Sequence, residues 1–176
     1  DRKAVAEIVA DATSRLGRID ILVGNAAEVM FEPFERHSME IWDRIIEVDL
    51  SANYHLARLV LPGMVKRGSG NLLFIGSVAS WFHTSDLLPG EFSYAVAKSG
   101  LTTLTRTLAA EFGPHGIRCN GIAPGLIESG FTKSHEDFSA GIRARTPLRK
   151  LGTTKDIEQA ALFLTNDESA GFITGE

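Results

Sequence analysis

The chain has 176 residues, about the length of one domain, and its 18 basic and 22 acidic residues give a formal net charge of −4. Because the balance is slightly acidic, with no long basic run, nucleic acid and anionic membrane surfaces are not expected as partners. The longest apolar runs, such as residues 72–75, are far shorter than the roughly 18 residues of a membrane-spanning helix. Cys119 is the single cysteine, so no internal disulfide can form and a cytoplasmic location is expected.

The ends of the sequence indicate a piece of a larger fold. The first residue is Asp1 rather than Met, and residues 172–176 stop where a strand or turn begins. We therefore expect missing segments at both ends. The sequence contains no internal repeat and no linker rich in proline or serine, so residues 1–176 are expected to form a single, incomplete domain.

The first third of the chain predicts a helix, a strand and a turn of small residues. Apolar residues recur at steps of three and four between Ala4 and Leu16, which predicts an amphipathic helix that ends at Gly17. The apolar run 19–23 predicts a strand that is covered on both faces of a parallel sheet. The small residues 24–27 follow this strand and allow a ligand to approach the backbone closely.

Two helices and a second strand are predicted next. Ser38 is a suitable N-cap for a helix to Glu47, and a second helix ends at Gly68, with a local kink at Pro62. The strand 72–75 follows. The segment 77–91 after it is much longer than the usual loop of about 2–6 residues, which indicates a functional segment.

The last part of the chain continues the alternation of strands and helices. It predicts a helix over residues 92–112 with an apolar stripe from Ala97 to Phe112, a strand over 117–122, an irregular stretch over 126–151 and a final helix capped by Thr153 or Thr154. This order predicts an α/β fold: a Rossmann-like, doubly wound parallel sheet, of which the central and C-terminal parts are present. Ligands bind such sheets at the carboxyl ends of the strands.

One pair of residues indicates proton chemistry. Tyr94 and Lys98 lie four residues apart and therefore share one helix face. A phenol with a pKa near 10 exchanges protons poorly at neutral pH, and a neighbouring ammonium favours the phenolate and lowers this pKa. Ser77, at the end of a strand, could hydrogen-bond the same substrate oxygen. Alone, this spacing carries little weight because it occurs in many helices.

Several segments in a fixed order give the pair a context. They are Asp20 to Ala27, Gly76-Ser77, Tyr94 to Lys98, Ile117 to Gly125, Pro147 to Arg149 and Phe172 to Gly175. Together they resemble the short-chain dehydrogenase/reductase family over essentially the whole chain. The resemblance implies hydride transfer between NAD or NADP and a small-molecule carbonyl/alcohol substrate. It also implies a homo-oligomer, a dimer or tetramer, formed through the helices that begin near Asp49 and Phe92.

The resemblance also implies roles for individual residues. Tyr94 would be the general acid/base, Lys98 would hold the cofactor ribose and lower the pKa of Tyr94, and Ser77 would orient the substrate oxygen. Asp49 stands where the family usually has an Asn whose backbone carbonyl holds a water in a proton relay. Since a carbonyl survives substitution, Asp49 stays among the catalytic candidates. Besides Tyr94 and Lys98, the expected cofactor-binding residues are Asn25, Ala26, Pro124, Gly125, Ile127 and Ser129.

The sequence also departs from the family pattern. Gly24 and Ala27 replace the first Asn and the Gly of the family's N-N-A-G segment. The spacing from Ser77 to Tyr94 is longer than usual, which we interpret as a loop insertion that carries Trp81, Phe82 and His83 near the substrate. No glycine-rich phosphate-binding turn occurs. A polypeptide limited to residues 1–176 is therefore expected to be inactive, and its partial sheet should expose apolar edges.

Other functions fit the sequence less well. His83 and Asp86 near Ser77 suggest a hydrolytic triad, but the sequence around Ser77 is not G-x-S-x-G. The main alternative is a catalytically silent nucleotide-sensing or structural relative, or an inactive truncated remnant. The intact Ser77, Tyr94 and Lys98 favour the enzyme. The choice between NAD and NADP stays open, as does the substrate. No metal is expected, because metal-ligand spacing is lacking among His37, His55, His83, His115 and His135.

Overall fold

The computed structural model describes residues 2–83, 86–87 and 90–176. Within these residues the strands are β1 (Ile21–Gly24), β2 (Gly70–Ile75) and β3 (Ile117–Ile122). The α-helices are α1 (Arg2–Leu16), α2 (Met39–Ile46), α3 (Ala52–Arg67), α4 (Phe92–Phe112), α5 (Gly130–Ser134), α6 (Glu136–Arg145), α7 (Thr154–Thr165) and α8 (Asp167–Ala170). Among the described residues, no helix is long and apolar enough to cross a membrane.

The strands form a parallel sheet in the order β1-β2-β3. Gly24 pairs with Phe74, and Phe74 pairs with Gly121, so the carboxyl ends of the strands meet at one edge. Helices α3 and α4 pack on the sheet, α1 packs on α3, and α7 contacts β2 and β3. This arrangement confirms the predicted α/β fold with a partial Rossmann-like sheet.

The hydrophobic core lies between the sheet and helices α3 and α4. Phe74 of β2 and Cys119 of β3 are completely buried there, and Leu101 is the buried centre of the apolar stripe predicted for α4. Burial of an apolar side chain of this size contributes roughly 1.5–3 kcal/mol. The bounds of α4 and β3 agree with the sequence prediction.

The prediction that β1 is covered on both faces is wrong within the described residues. Ile21 is 46% exposed and Val23 is 49% exposed. β1 lies at the edge of the three-stranded sheet, so the face that carries these two side chains lacks the cover that a central strand has. The apolar residues of α1 are similarly open: Ile8 is 66% exposed, and no residue of α1 is fully buried.

The two helices predicted around Glu47 are continuous in the structure. Ser38 caps α2 as predicted, because its Oγ accepts a hydrogen bond from Ile41 N. A π-helical turn, Glu47–Ser51, then joins α2 to α3; we call it the π segment. The helical path continues past Pro62 to Arg67.

The prediction of an irregular stretch over 126–151 is also wrong, since α5 and α6 lie within it. Both helices are short, and local polar contacts stabilise them. In α5, Ser129 and Thr132 form a reciprocal capping box, and α6 carries acidic residues in its first turn and basic residues in its last. Thr153 caps α7 as predicted, in a second capping box with Asp156.

Candidate active site

The residues that are expected to carry chemistry lie at the edge of the sheet where the strands end. Ser77 follows β2, Tyr94 and Lys98 lie in the first two turns of α4, and Asp49 lies in the π segment. Ser77 and Tyr94 line an open cavity of about 190 Å³, which we call the cleft. Apolar side chains that line the cleft include Val29, Phe31, Phe82, Leu126, Phe138 and Ile142, and Glu91 also borders it.

Helix α4 holds Lys98 in a buried position. Its neighbours Ala97 and Leu101 are buried, which fixes the rotation of the helix about its axis. Lys98 is only 2% exposed, and its Nζ donates a hydrogen bond to Ile75 O at 3.0 Å. The same Nζ lies 5.5 Å from the centre of the Tyr94 ring. The structure therefore brings together the ammonium, the phenol and the end of β2.

Asp49 connects this helix to the segment that follows β1. Its carboxylate is completely buried, and Oδ1 accepts a hydrogen bond from Glu28 N at 2.8 Å. Its Oδ2 lies 3.3 Å from Lys98 Nζ and forms an ion pair with it. Oδ2 has no further hydrogen-bond partner among the described residues. An Asn at position 49 could accept the hydrogen bond from Glu28 N but could not neutralise the ammonium of Lys98. Asp in place of the usual Asn therefore changes the charge of the site.

The backbone carbonyl of Asp49 is partly occupied. It accepts a hydrogen bond from Asn53 Nδ2 at 2.9 Å, and the Asn53 side chain is buried. A carbonyl oxygen has two lone pairs, and the Asn53 amide occupies one of those of Asp49.

The expected lowering of the pKa of Tyr94 by Lys98 is not what the structure shows. Burial raises the pKa of the phenol, the carboxylates of Asp49 and Glu91 raise it further, and hydrogen bonding with Ser77 lowers it. The main physical reason is the burial of the phenol, and Asp49 adds to it because its negative charge lies beside that of Lys98 and offsets it. Burial also lowers the pKa of Lys98, an effect that Asp49 opposes. The phenol is consequently protonated at neutral pH.

Ser77 is positioned by the backbone that follows β2. Its Oγ accepts a hydrogen bond from Ala79 N at 3.1 Å, which caps a 3₁₀ turn at Val78–Ser80. The hydroxyl keeps its own proton to donate, and it shares the cleft with Tyr94. Val78 N donates to Pro124 O at 3.1 Å, so the segments after β2 and β3 are also joined.

The expected cofactor-binding residues fall into two groups. Asn25 and Ala26 are exposed after β1, and Gly125 after β3 has open space where a side chain would project. These residues lie at the same sheet edge as Lys98. Further along the chain, Ile127 forms a bridge with Gly152, and the Ser129 hydroxyl accepts from Thr132 N as the cap of α5.

Of the loop residues expected near the substrate, Trp81 lies apart from the cleft. Phe82 lines the cleft, but Trp81 lines a separate cavity with Gly76 and Thr102. His83 Nδ1 lies 4.0 Å from Glu91 Oε1. Residues 84, 85, 88 and 89 of the predicted insertion lie outside the described residues.

Two polar contacts near the site were not foreseen. Glu91 borders the cleft. Its position directly before a helix that begins at Phe92, near Tyr94, could have indicated this. Asp86 pairs with Arg145 of α6 through a hydrogen bond of 3.0 Å and a second contact, so it is not placed as a triad member. Among the described residues no group of three or more His, Cys, Asp or Glu is arranged to hold a metal ion.

Comparison with known proteins gives the same family throughout the chain. A family model described as Enoyl-(Acyl carrier protein) reductase matches residues 1–176. The 3-oxoacyl-(acyl-carrier-protein) reductase FabG of Thermotoga maritima is 34% identical over 177 residues, which cover 100% of this chain and 70% of the relative. The protein of the same name from Escherichia coli strain K12 is 36% identical over 177 residues, with the same two coverages.

Solved structures share the fold. A chain from Burkholderia xenovorans described as a short-chain dehydrogenase/reductase has a TM-score of 0.89 at 30% identity, covering 99% of this chain and 67% of that one. A chain from Beutenbergia cavernae, described as an NAD(P)-dependent gluconate 5-dehydrogenase and solved with NADP at low occupancy, has a TM-score of 0.90 at 29% identity, covering 99% and 69%. The chain belongs to the short-chain dehydrogenase/reductase family.

Proposed function

We propose that the protein is an oxidoreductase that transfers a hydride between NAD or NADP and a small carbonyl/alcohol substrate. The observation that carries the proposal is the position of Tyr94. Its protonated phenol borders a mostly apolar cleft, next to a serine hydroxyl and 5.5 Å from a buried ammonium. Family membership supports the same reaction class.

The residues at the sheet edge fit a nicotinamide cofactor. Ala26 and Gly125 offer backbone without bulky side chains, and Asn25 offers an amide beside them. Lys98 Nζ has three protons, and Ile75 O and Asp49 account for two of them, so one is available for a ribose hydroxyl. Pro124, Ile127 and Ser129 complete the proposed cofactor side. When bound, the cofactor supplies or accepts the hydride.

The side chains around the cleft supply the rest of the reaction. In reduction, Tyr94 donates its phenolic proton to the carbonyl oxygen of the substrate, and Ser77 donates a hydrogen bond to the same oxygen. In oxidation, Tyr94 takes the proton back. Asp49 holds Lys98 in place, and its charge adds to the effect of burial in raising the pKa of the phenol. Phe82 and Phe138 reduce the access of water to the cleft.

Further properties belong to the same proposal. We propose a dimer or tetramer formed through the outer faces of α3 and α4, where an apolar groove is lined by residues such as Leu61, Val65 and Phe112. A cytoplasmic site is consistent with the free, buried Cys119. Since residues 1–176 contain no glycine-rich phosphate loop, we propose that a polypeptide limited to them is inactive.

The test is the change Tyr94→Phe in the native protein that carries these residues. We expect hydride transfer to fall by about 10²–10⁴-fold, because the proton donor is lost, with little change in nucleotide affinity. Tyr54→Phe is the matched control, because it removes the same hydroxyl from an exposed position on α3 that does not line the cleft. Tyr54 also lines the groove proposed for the oligomer, so the oligomeric state of both variants is measured in parallel. Undiminished turnover by the Tyr94 variant contradicts the proposal. Nucleotide binding without turnover by the unaltered protein supports the silent relative instead.

Reduction of a carbon–carbon double bond is a second candidate, because the matching family model is described as an enoyl reductase. The two candidates differ in the acceptor. An assay of the native protein with a 3-oxo thioester and with the matching 2-enoyl thioester separates them. We expect turnover of the 3-oxo compound, since Tyr94 and Ser77 line the same cleft and reduction of a ketone needs a proton on the oxygen, which is the role proposed for Tyr94.

A further inference from the structure

The end of β1 combines a glycine with crowded surroundings. Gly24 is the last residue of β1 and is buried. A Cβ atom at this position would collide with Asn53 Oδ1 and would lie 2.6 Å from Phe74 Cδ1, which is closer than side-chain atoms approach one another. The space beside Gly24 is therefore filled by two other side chains, one from α3 and one from β2. A larger residue at position 24 would have to displace them.

The side chain from α3 is a buried amide. Asn53 is 3% exposed, and its Nδ2 donates a hydrogen bond to Asp49 O at 2.9 Å while its Oδ1 lies against Gly24. The carboxylate of the same Asp49 forms the ion pair with Lys98. The amide of Asn53 thus connects the end of β1 with the residue that pairs with the buried ammonium.

The segment 24–28, which follows β1, is held at both ends by the helix that contains the π segment. Asn53 packs on its first residue, Gly24, and Asp49 Oδ1 accepts a hydrogen bond from the backbone N of its last residue, Glu28, at 2.8 Å. The residues after β1 that are proposed for the cofactor side lie between these two points. The position of this segment therefore depends on two side chains that are four residues apart.

We infer that Asn53 is a positioning residue: it supplies from α3 the amide that the family pattern has at position 24, and it holds the peptide of Asp49 against the segment 24–28. The inference rests on the proposed function, because the groups that Asn53 aligns are the proposed cofactor side and the partner of Lys98. The exchange is reciprocal, since an Asn at position 24 would collide with Asn53 and Gly24 leaves the space that Asn53 occupies. A side chain of the same size without an amide would fill this space but leave Asp49 O without its donor.

The first experiment compares two buried asparagines. Asn53→Leu keeps a side chain that branches at Cγ and removes the amide. Asn71→Leu is the matched control, because Asn71 is also 3% exposed and its Nδ2 donates to Leu164 O at 3.2 Å, but it lies at the start of β2, away from the site. In the native protein that carries these residues, with a 3-oxo thioester and NADH or NADPH, we expect kcat/KM to fall by at least about tenfold for Asn53→Leu and by less than about twofold for Asn71→Leu. Thermal unfolding checks that both variants are folded at the assay temperature.

The second experiment moves the amide back to β1. Asn53→Ala empties the space beside Gly24, and Phe74→Val removes the Cδ1 atom that would also obstruct a side chain there. In this double variant, Gly24→Asn restores an amide, whereas Gly24→Leu adds a side chain of similar size without one. We expect the Gly24→Asn form to be several-fold more active than the Gly24→Leu form. A purely structural role predicts the opposite or no difference, because Leu fills the same space with apolar atoms.

The inference is overturned if Asn53→Leu loses no more kcat/KM than Asn71→Leu does, or if the folded Gly24→Asn and Gly24→Leu forms are equally active. If these last two forms do not fold, the comparison of Asn53→Leu with Asn71→Leu decides.

Affinities for NADH and NADPH are measured in parallel, and Asn53→Leu should weaken them because it releases the segment 24–28. If the native protein binds nucleotide but reduces no oxo compound, the proposed function fails. Weaker nucleotide binding by Asn53→Leu than by Asn71→Leu then still supports the inference, and equal affinities overturn it. A native protein that binds neither nucleotide contradicts both.

Discussion

The floor of the cleft and its walls are built in different ways. By the floor we mean β2, the π segment and the first turns of α4, which adjoin the lining residues Ser77 and Tyr94; its key side chains, Asp49 and Lys98, are 0% and 2% exposed. The walls come from the long loop and from α6, where Phe82 is 69% exposed and contacts between Asp86 and Arg145 lie at the surface. Reaction chemistry thus rests on buried regular elements, whereas recognition rests on a surface that can change without unfolding the floor.

The sharpest test of this difference uses one residue type in both regions. Phe74→Ala should reduce the free energy of unfolding by about 3–5 kcal/mol, because a fully buried ring leaves a cavity. Phe82→Ala should change it by less than about 0.5 kcal/mol, because most of that ring is already in water. Urea unfolding measures both. Similar losses for the two variants would show that the wall is part of the folding core.

The buried carboxyl group of Asp49 predicts that the free energy of unfolding depends on pH. The pKa of Asp49 is raised above 3.8 by burial, so the folded state binds this proton more tightly than the unfolded chain does. Its contribution to stability is therefore greatest below pH 3.8 and is lost as the pH rises through the raised pKa. Asp49→Asn should remove this slope, measured by urea unfolding at a series of pH values. The same slope in the variant would assign it to other groups.

Asp49→Asn should also alter the pH profile of turnover. In carbonyl reduction the phenol must be protonated, so its pKa sets the alkaline limb of the profile. Since the Asp49 carboxylate raises the pKa of Tyr94, removal of this carboxylate should lower that pKa and move the alkaline limb to lower pH. The control is Asp43→Asn, an exposed carboxyl on α2. An unmoved limb would mean that Asp49 acts on structure alone.

The smallest effect is expected in the wall. Arg145→Ala removes an exposed ion pair with Asp86, so the free energy of unfolding should not change measurably. KM for the oxo substrate should rise a few-fold, because the loop that carries Asp86 is held less closely to α6. Arg143→Ala is the control, because Arg143 pairs with Glu136 within the same helix. Equal KM values for the two variants would show that the contact between Asp86 and Arg145 does not contribute to substrate binding.

The fold was predictable wherever hydrophobic periodicity and caps were strong. The stripe of α4, the run of β3 and the caps Ser38 and Thr153 led to correct elements. α5 and α6 were missed because they are short and have few buried residues, so their stability comes from capping and local charges rather than from an apolar stripe. The cover of β1 was misjudged because an apolar run does not show whether its strand lies at an edge.

The sequence predicted that the candidate residues lie close together, but it did not predict the electrostatics around them. The order of Ser77, Tyr94 and Lys98 along the chain led to one place at the sheet edge. The direction of the Tyr94 pKa was wrong because spacing along a helix reveals a neighbouring ammonium but not the burial of the phenol. The ion pair of Asp49 with Lys98 joins distant segments and depends on the π segment, which no local pattern announced.

The π segment makes the number of residues in this helix as important as their identity. Ala52 N donates to Glu47 O, five residues earlier, so the turn contains one residue more than an α-helical turn. Because the extra residue is held within one widened turn, deletion of one residue from Glu47–Ser51 would let the helix run on in regular α-helical form with α2 and α3 almost in phase. The widened turn that sets the direction of Asp49 would be lost, and with it the contact of its carboxylate with Lys98. Within this family, a relative that differs in length here should therefore differ in the charge environment of its tyrosine, even where every catalytic residue is the same.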